Sequence, residues 1–199
     1  MTFSSLALIL FLIMDPLGNI SSFLSLTKHL NPAERTMIVI REMLIALAIM
    51  VAFNYLGEFI FDFLSLSDTT LHIASGVILF LIAIKILFTA PDSPRANLPD
   101  GTPYIFPLAV PLIAGPGLLA TIMLFAHMES SQAIMLGAIL TAWFISALIL
   151  FFSQPIKRCL GSKGLMACER LIGMVLVIIS VQRLMEGALL FWKNQVHHS

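Results

Sequence analysis

The sequence predicts an all-α integral membrane protein with six transmembrane helices, arranged as two inverted three-helix repeats in which helices 1 and 4 are broken. Three observations predict this fold. The 199 residues are 59% hydrophobic and only 11% charged, with a mean hydropathy of +0.99, whereas about a quarter of a soluble domain is charged. Six apolar segments approach the ~20 residues needed to cross the hydrocarbon core. Two of these segments are interrupted by similar breaks containing Pro and Gly.

The six apolar segments form two groups of three. We place the segments at residues 3–26, 37–55, 69–88, 104–127, 133–152 and 171–192. The longest polar connection is rich in Pro and in charged residues, and it separates the two groups. We therefore predict a first three-helix repeat at residues 1–88, a polar linker at 89–103 and a second three-helix repeat at 104–199.

Segments three and six align without gaps, which is the sequence support for a repeat. The alignment pairs Gly76 with Gly173, Leu79 with Leu176, Ile82 with Ile179, Lys85 with Gln182 and Leu87 with Leu184. Its offset is close to the one that superposes Pro16 on Pro116. Chance similarity between two apolar helices is the alternative. Because each repeat has an odd number of helices, the second repeat enters the membrane from the opposite side.

The distribution of basic residues predicts the orientation. Most of them lie in the connections after segments one, three and five or in the adjoining helix ends, whereas the opposite side holds only Arg183 and Lys193. Cytoplasmic loops carry the excess of Lys and Arg, so we expect both termini to be periplasmic. The formal net charge is zero, which gives no basic field for nucleic acid.

The two breaks resemble helix starts within the membrane. Asp15 is a good N-cap and Pro16 a good first helical residue, and Gly115 with Pro116 repeats the arrangement with a weaker cap. Such breaks persist in lipid only where protein or a polar cavity satisfies the backbone. Paired breaks in two halves point to a transporter's substrate site. The free N–H groups and positive dipole end of each helix start suit an anionic group such as a carboxylate.

We predict a substrate-binding set around these breaks. Asp15 lies about 12 residues, or roughly 18 Å, into the first segment, near the bilayer midplane. We expect Asp15 to bind a substrate amine or to carry a coupling proton, unless it serves only as a helix cap. Asn19 and Thr121 would add neutral hydrogen bonds, and Gln182 either lines the site or bonds to a neighbouring helix. The full set is Asp15, Gly18, Asn19, Gly115, Gly117, Thr121 and Gln182, with Pro16 and Pro116 as helix-break residues.

Other polar residues favour structural interpretations. Lys85 and Arg183 lie closer to the membrane surfaces and can extend their charges toward water, and Arg41, Glu42 and Asn54 are expected at the interface. Cys159 and Cys168 are predicted to be isolated reduced thiols. The sequence has no zinc-protease run, nucleophile elbow or phosphate loop, so we predict no enzymatic activity, no metal and no cofactor.

The chain resembles the MarC family of bacterial inner-membrane proteins, particularly its YhgN-like branch. The resemblance is carried by residues 15–19, by residues 107–116 with Thr121, and by Glu169-Arg170-Leu171 with Gly173 and Gln182. It implies six helices in the plasma membrane and kinship with LysE-type exporters and with a neutral amino-acid transporter that handles glycine and alanine. One departure is Ser21, where the family usually has Pro.

The expected function is secondary transport across the bacterial inner membrane by alternating access. The expected substrate is a small neutral amino acid of the glycine or alanine type, or a related small solute. The expected partners are the lipid bilayer and this substrate, with coupling to protons or sodium and a possible homo-oligomer. A channel for small solutes and a non-transporting scaffold or regulatory subunit are the alternatives.

Overall fold

A computed structural model of the protein describes residues 2–27, 30–64, 67–88, 113–129 and 131–197. Within these ranges every regular secondary-structure element is a helix, which confirms the predicted all-α class. The predicted linker at 89–103 and the first part of the predicted fourth segment, 104–112, lie outside the described residues. The helices are α1 (Phe3–Met14), α2 (Pro16–Leu26), α3 (Pro32–Leu64), α4 (Asp68–Phe88), α5 (Pro116–Met128), α6 (Gln132–Phe151) and α7 (Ser153–His197).

Five helical stretches are long and apolar enough to cross a membrane. They are Phe3–Ser25, Glu34–Gly57, Thr69–Phe88, Gln132–Phe151 and Ser153–Lys193. Pro116–Met128 is a shorter apolar helix, and it covers the second part of the predicted fourth segment. The described part of the chain therefore has the helices of a protein that crosses the membrane several times.

The α1–α2 junction turns at a single residue. Asp15 adopts a left-handed conformation, with φ 42° and ψ 59°. Its N–H donates to the carbonyl of Phe11 at 3.2 Å, and its own carbonyl accepts from the N–H of Asn19 at 3.1 Å. Asp15 thus ends α1 and begins α2. Asp tolerates this backbone region better than most residues because its short polar side chain can hydrogen-bond locally.

Two helices extend well beyond the predicted apolar segments. Helix α3 begins at Pro32, and the Glu34 carboxylate accepts from the N–H of Asn31 at 3.0 Å, which is the back-bonding half of a capping box. Helix α7 contains Gly161, whose φ of 64° and ψ of 176° are not helical. Both extensions are more polar than the apolar cores, so hydropathy predicted the membrane stretches and not the full helices.

Helices α4 and α7 form the most extensive helix pair. A Cβ atom placed on Gly76 would lie 2.7 Å from Cγ of Leu184, and one on Gly173 would lie 2.9 Å from Cγ of Leu87. Because low numbers on α4 meet high numbers on α7, the two helices are antiparallel. Small residues at such interfaces let the helix backbones approach closely in a membrane.

Helix α1 lies inside the bundle, and most of its side chains are buried. It contacts α5, α6 and α7. In contrast, α3, α4, α6 and α7 expose many large apolar side chains, including Phe63, Phe88, Phe144 and Ile178, as expected for surfaces that face lipid. The central position of α1 places the α1–α2 junction in the protein interior.

Candidate functional site

A cavity of about 370 Å³ lies among the α1–α2 junction, α4 and the start of α5. This volume is near the lower end of the ~300–1,000 Å³ typical of small-molecule sites. The sequence showed two similar breaks without showing whether they meet. Both line this cavity. The lining residues are Ile13, Met14, Asp15, Asn19, Leu81, Ile82, Lys85, Ile86, Ile113, Gly115, Pro116, Gly117 and Leu118.

The first wall is the α1–α2 junction. Asp15 is only 2% exposed, and its Oδ1 accepts from the N–H of Gly18 at 3.1 Å, which makes it the N-cap of α2. Asn19 is 3% exposed, and its Nδ2 donates to the carbonyl of Met14 at 2.9 Å. The carbonyls at the end of α1 lack intrahelical partners, and Asn19 satisfies one of them. Both polar side chains therefore stabilise the turn and face the cavity.

The second wall is the start of α5. Gly115 has an extended backbone, with φ −69° and ψ 158°, and Pro116 is the first helical residue. Gly115, the N-cap residue, provides no side-chain hydrogen bond to this helix. The N–H groups of Gly117 and Leu118 belong to the first turn, where a helix supplies no intrahelical acceptor. This wall therefore presents backbone donors and the positive end of a helix dipole to the cavity.

The third wall is one face of α4. Leu81, Ile82, Lys85 and Ile86 are spaced so that they share that face. A Cβ atom on Gly117 would lie 2.9 Å from Cδ1 of Ile82, so glycine at the start of α5 permits the close approach of α4. Lys85 is the basic residue and Asp15 the acidic residue among the described lining residues. Both charges have partners within the protein.

The structure brings most of the predicted set together. Asp15, Asn19, Gly115, Pro116 and Gly117 line the cavity. Two other residues of the set do not line the cavity but support the start of α2. Gly18 donates its N–H to Asp15, and the buried Pro16 is the first residue of α2.

Thr121 and Gln182 do not line the cavity either. Thr121 is buried, and its hydroxyl donates to the carbonyl of Gly117 at 2.8 Å. Gln182 is exposed, and its Nε2 donates to Oε1 of Glu186 at 3.1 Å. In the described conformation, Thr121 supports the first turns of α5, whereas Gln182 lies outside the site.

Lys85 is the site residue that sequence reasoning missed. Its position near one end of an apolar segment favoured a charge extended toward the membrane surface. The spacing of Lys85 from Leu81 and Ile82 places all three residues on one helix face. This spacing was the sequence feature that could have indicated a shared wall. The sequence did not show that this face meets the two breaks.

Glu42 and Asn54 are more buried than expected for interfacial residues. Glu42 is 2% exposed, and its Oε1 lies 3.0 Å from Nη2 of Arg41. Asn54 is fully buried, and its Nδ2 donates to Oε1 of Gln132 at 2.8 Å. Both are polar groups satisfied, at least in part, inside the helix bundle.

Arg183 is held within the protein. Its Nη1 lies 2.9 Å from Oε2 of Glu186, and its guanidinium carbon lies 5.9 Å from the centre of the Phe125 ring. Within the described ranges, no group of three or more His, Cys, Asp and Glu side chains is placed to hold a metal ion. Cys159 and Cys168 are free thiols, as predicted.

Several long apolar helices, packed around a shared cavity, define a multi-pass α-helical membrane protein. The chain belongs to the MarC family: residues 1–191 match the family described as MarC family integral membrane protein. The resemblance noted from the sequence is thereby confirmed.

Curated bacterial relatives match nearly full length. The chain is 46% identical over 192 residues to the Escherichia coli K12 "UPF0056 inner membrane protein YhgN", covering 96% of this chain and 98% of the relative. It is 45% identical over 187 residues to a "UPF0056 membrane protein" of Buchnera aphidicola from Baizongia pistaciae, covering 92% and 94%. A Chlamydia pneumoniae membrane protein is 32% identical over 187 residues, covering 92% of each chain. No solved structure gives a significant match.

Proposed function

We propose that the protein is a secondary transporter of small neutral amino acids of the glycine or alanine type, or of related small solutes, in the bacterial inner membrane. The observation that carries the proposal is the shared cavity. Two helix starts from opposite halves of the chain, one acid and one base line the same space of about 370 Å³. Membrane proteins rarely place ionisable groups inside the bundle without a function.

The chemistry of the walls fits an amino acid. The substrate amine would bind the Asp15 carboxylate, and the substrate carboxylate would bind backbone N–H groups at the two helix starts. Asn19 lines the same wall as Asp15 and would limit the room for a side chain. The apolar residues of α4 would contact a methyl group but offer no partner to a polar side chain.

The α4–α7 contacts support the inverted repeat. Our alignment pairs Gly76 with Gly173 and Leu87 with Leu184. The contacts of Gly76 with Leu184 and of Gly173 with Leu87 are therefore the same contact made twice, as a two-fold axis between two helices requires. Such an axis in the membrane plane is the symmetry of inverted-repeat transporters.

Alternating access follows from this arrangement. One repeat, residues 1–88, would rock against the other, residues 104–199, around the fixed cavity, with residues 89–103 as the linker and both termini periplasmic. We propose that a proton or sodium gradient drives the cycle and that the protein has no enzymatic activity. A homo-oligomer stays a prediction.

Uptake into proteoliposomes tests the proposal. Labelled glycine, alanine and serine are supplied with and without a proton gradient of either polarity, and then with a sodium gradient. We expect saturable uptake by the wild type and its loss in Asp15→Asn. The matched control is Glu34→Gln, which neutralises an exposed acid outside the cavity and should transport normally.

The same preparation separates the alternatives. Ohmic conductance without saturable counterflow would identify a channel. Absence of uptake by correctly inserted protein under every gradient would contradict amino-acid transport, and a stable partner recovered after mild solubilisation would then favour a scaffold.

A further inference from the structure

The cavity is lined by a cation, Lys85, to which the proposed binding of the substrate assigns no contact. We propose that Lys85 recognises the substrate's carboxylate and so makes a free α-carboxylate a requirement for transport. This inference rests on the proposed function and assigns a specificity-determining residue to the same site. It names the chemical class of the ligand more narrowly, as a zwitterion with a free amine and a free carboxylate.

The position of Lys85 supports this assignment. It lies in the last turn of α4, on the face that also carries Leu81 and Ile82 into the cavity. Lys85 is exposed, whereas Asp15, at the α1–α2 junction, is almost completely buried. The base therefore lies at the accessible part of the cavity and the acid at the closed part. A zwitterion would enter with its amine first and leave its carboxylate beside Lys85.

The charge balance of the cavity points to the same ligand. Among the described lining residues the formal charges are one negative, on Asp15, and one positive, on Lys85. A zwitterion would place its ammonium beside Asp15 and its carboxylate beside Lys85, so the occupied site would carry no net charge. A lone anion would meet the Asp15 carboxylate, and a lone amine would meet the Lys85 ammonium, and like charges at short range in a low-dielectric site repel strongly.

Backbone donors alone would bind a carboxylate less selectively. The N–H groups at the start of α5 carry partial charge, and they donate hydrogen bonds to a neutral carbonyl as well as to a carboxylate. An ammonium group distinguishes the two because its Coulomb attraction depends on the full negative charge. We therefore assign the choice between carboxylate and carboxamide to Lys85.

A merely structural Lys85 is the competing explanation. A basic residue in the last turn of a helix stabilises the helix dipole, and Lys85 has partners in the protein. That explanation predicts that replacing Lys85 lowers stability or overall activity without changing which substrates are preferred. The ratio of two substrates, measured on the same protein, separates the explanations because it cancels the amount of folded protein.

The experiment compares labelled alanine with labelled alaninamide, which keeps the amine but replaces the carboxylate by a neutral amide. Initial uptake rates at several concentrations give kcat/KM for each compound in wild type, Lys85→Gln, Lys85→Arg and the control Lys163→Gln. Lys163 is an exposed lysine of α7 and does not line the cavity. We expect wild type, Lys85→Arg and Lys163→Gln to prefer alanine by about tenfold or more, and Lys85→Gln to lose most of that preference.

Three results would overturn the inference. Equal uptake of alanine and alaninamide by the wild type would contradict the role of Lys85 in selecting a carboxylate. This result needs no variant, so it is decisive even if Lys85→Gln fails to fold. A full preference for alanine in Lys85→Gln would assign carboxylate selection elsewhere and leave the proposed function intact. Uptake of neither compound by correctly inserted wild type would instead remove amino-acid transport itself, and this inference with it.

Discussion

Asp15 and Pro116 belong to opposite halves of the chain and line the same cavity. Each lies at a helix start: Asp15 caps α2, and Pro116 is the first residue of α5. The two helices therefore direct their positive dipole ends toward one space. This convergence is what turns two sequence breaks into a candidate binding site.

The Asp15 cap should contribute strongly to the stability of the α1–α2 junction. Asp15→Ala removes the side-chain acceptor for the N–H of Gly18 and leaves a residue poorly suited to φ 42°. We expect it to be about 1–3 kcal/mol less stable than Asp15→Asn, because Asn keeps both a side-chain oxygen and tolerance of the left-handed region. Thermal unfolding in detergent measures the difference, and equal stability of the two variants would contradict this role of the cap.

Asn19 should be needed for the geometry of the same junction. Asn19→Ala leaves the buried carbonyl of Met14 without the donor that lies 2.9 Å away. We expect a loss of about 1–3 kcal/mol together with reduced alanine uptake. Thr121→Val is the control, since among the described residues its hydroxyl bonds to the carbonyl of Gly117 in its own helix. Wild-type stability in Asn19→Ala would show that the bond contributes little.

Gln182 should be dispensable for substrate binding. The side chain is exposed and bonded to Glu186, outside the described cavity. We expect Gln182→Ala to keep the wild-type KM for alanine in proteoliposome uptake. A KM raised about tenfold would indicate that Gln182 reaches the substrate in another conformation of the transport cycle.

Substitution of either glycine at the α4–α7 interface should lower stability by a similar amount. A Cβ on Gly76 or on Gly173 would come within 3.0 Å of a leucine on the partner helix, and overpacking of this kind costs about 1–3 kcal/mol. We expect similar losses of stability in Gly76→Ala and Gly173→Ala. The control is Gly137→Ala, where the nearest atom is 3.1 Å away on the movable ring of Phe3. Opposite signs for the two interface variants would argue against a two-fold relation.

The sequence predicted the apolar helices and the helix starts at Pro16 and Pro116 because both depend on local chemistry. Apolar length marks a membrane helix, and Asp15 followed by Pro16 marks a helix start whatever surrounds it. The faces were harder to predict. Helices in a membrane are apolar all round, so their hydrophobic pattern does not indicate which side is buried. This is why the sequence did not show that Lys85 lines the cavity or decide between the two interpretations of Gln182, and why Glu42 and Asn54 were expected at the membrane interface.

A cysteine-protection experiment tests most directly whether one solute contacts both walls of the cavity. Single cysteines replace Ile13 on the first wall or Leu118 on the second, in a background where Cys159 and Cys168 are changed to Ser. The rate of modification by a small methanethiosulfonate is measured with and without alanine. Cys159 restored alone, which is exposed and outside the cavity, serves as the control. We expect alanine to slow modification at both walls and not at Cys159. Protection of neither wall, or of one wall alone, would contradict a shared substrate site.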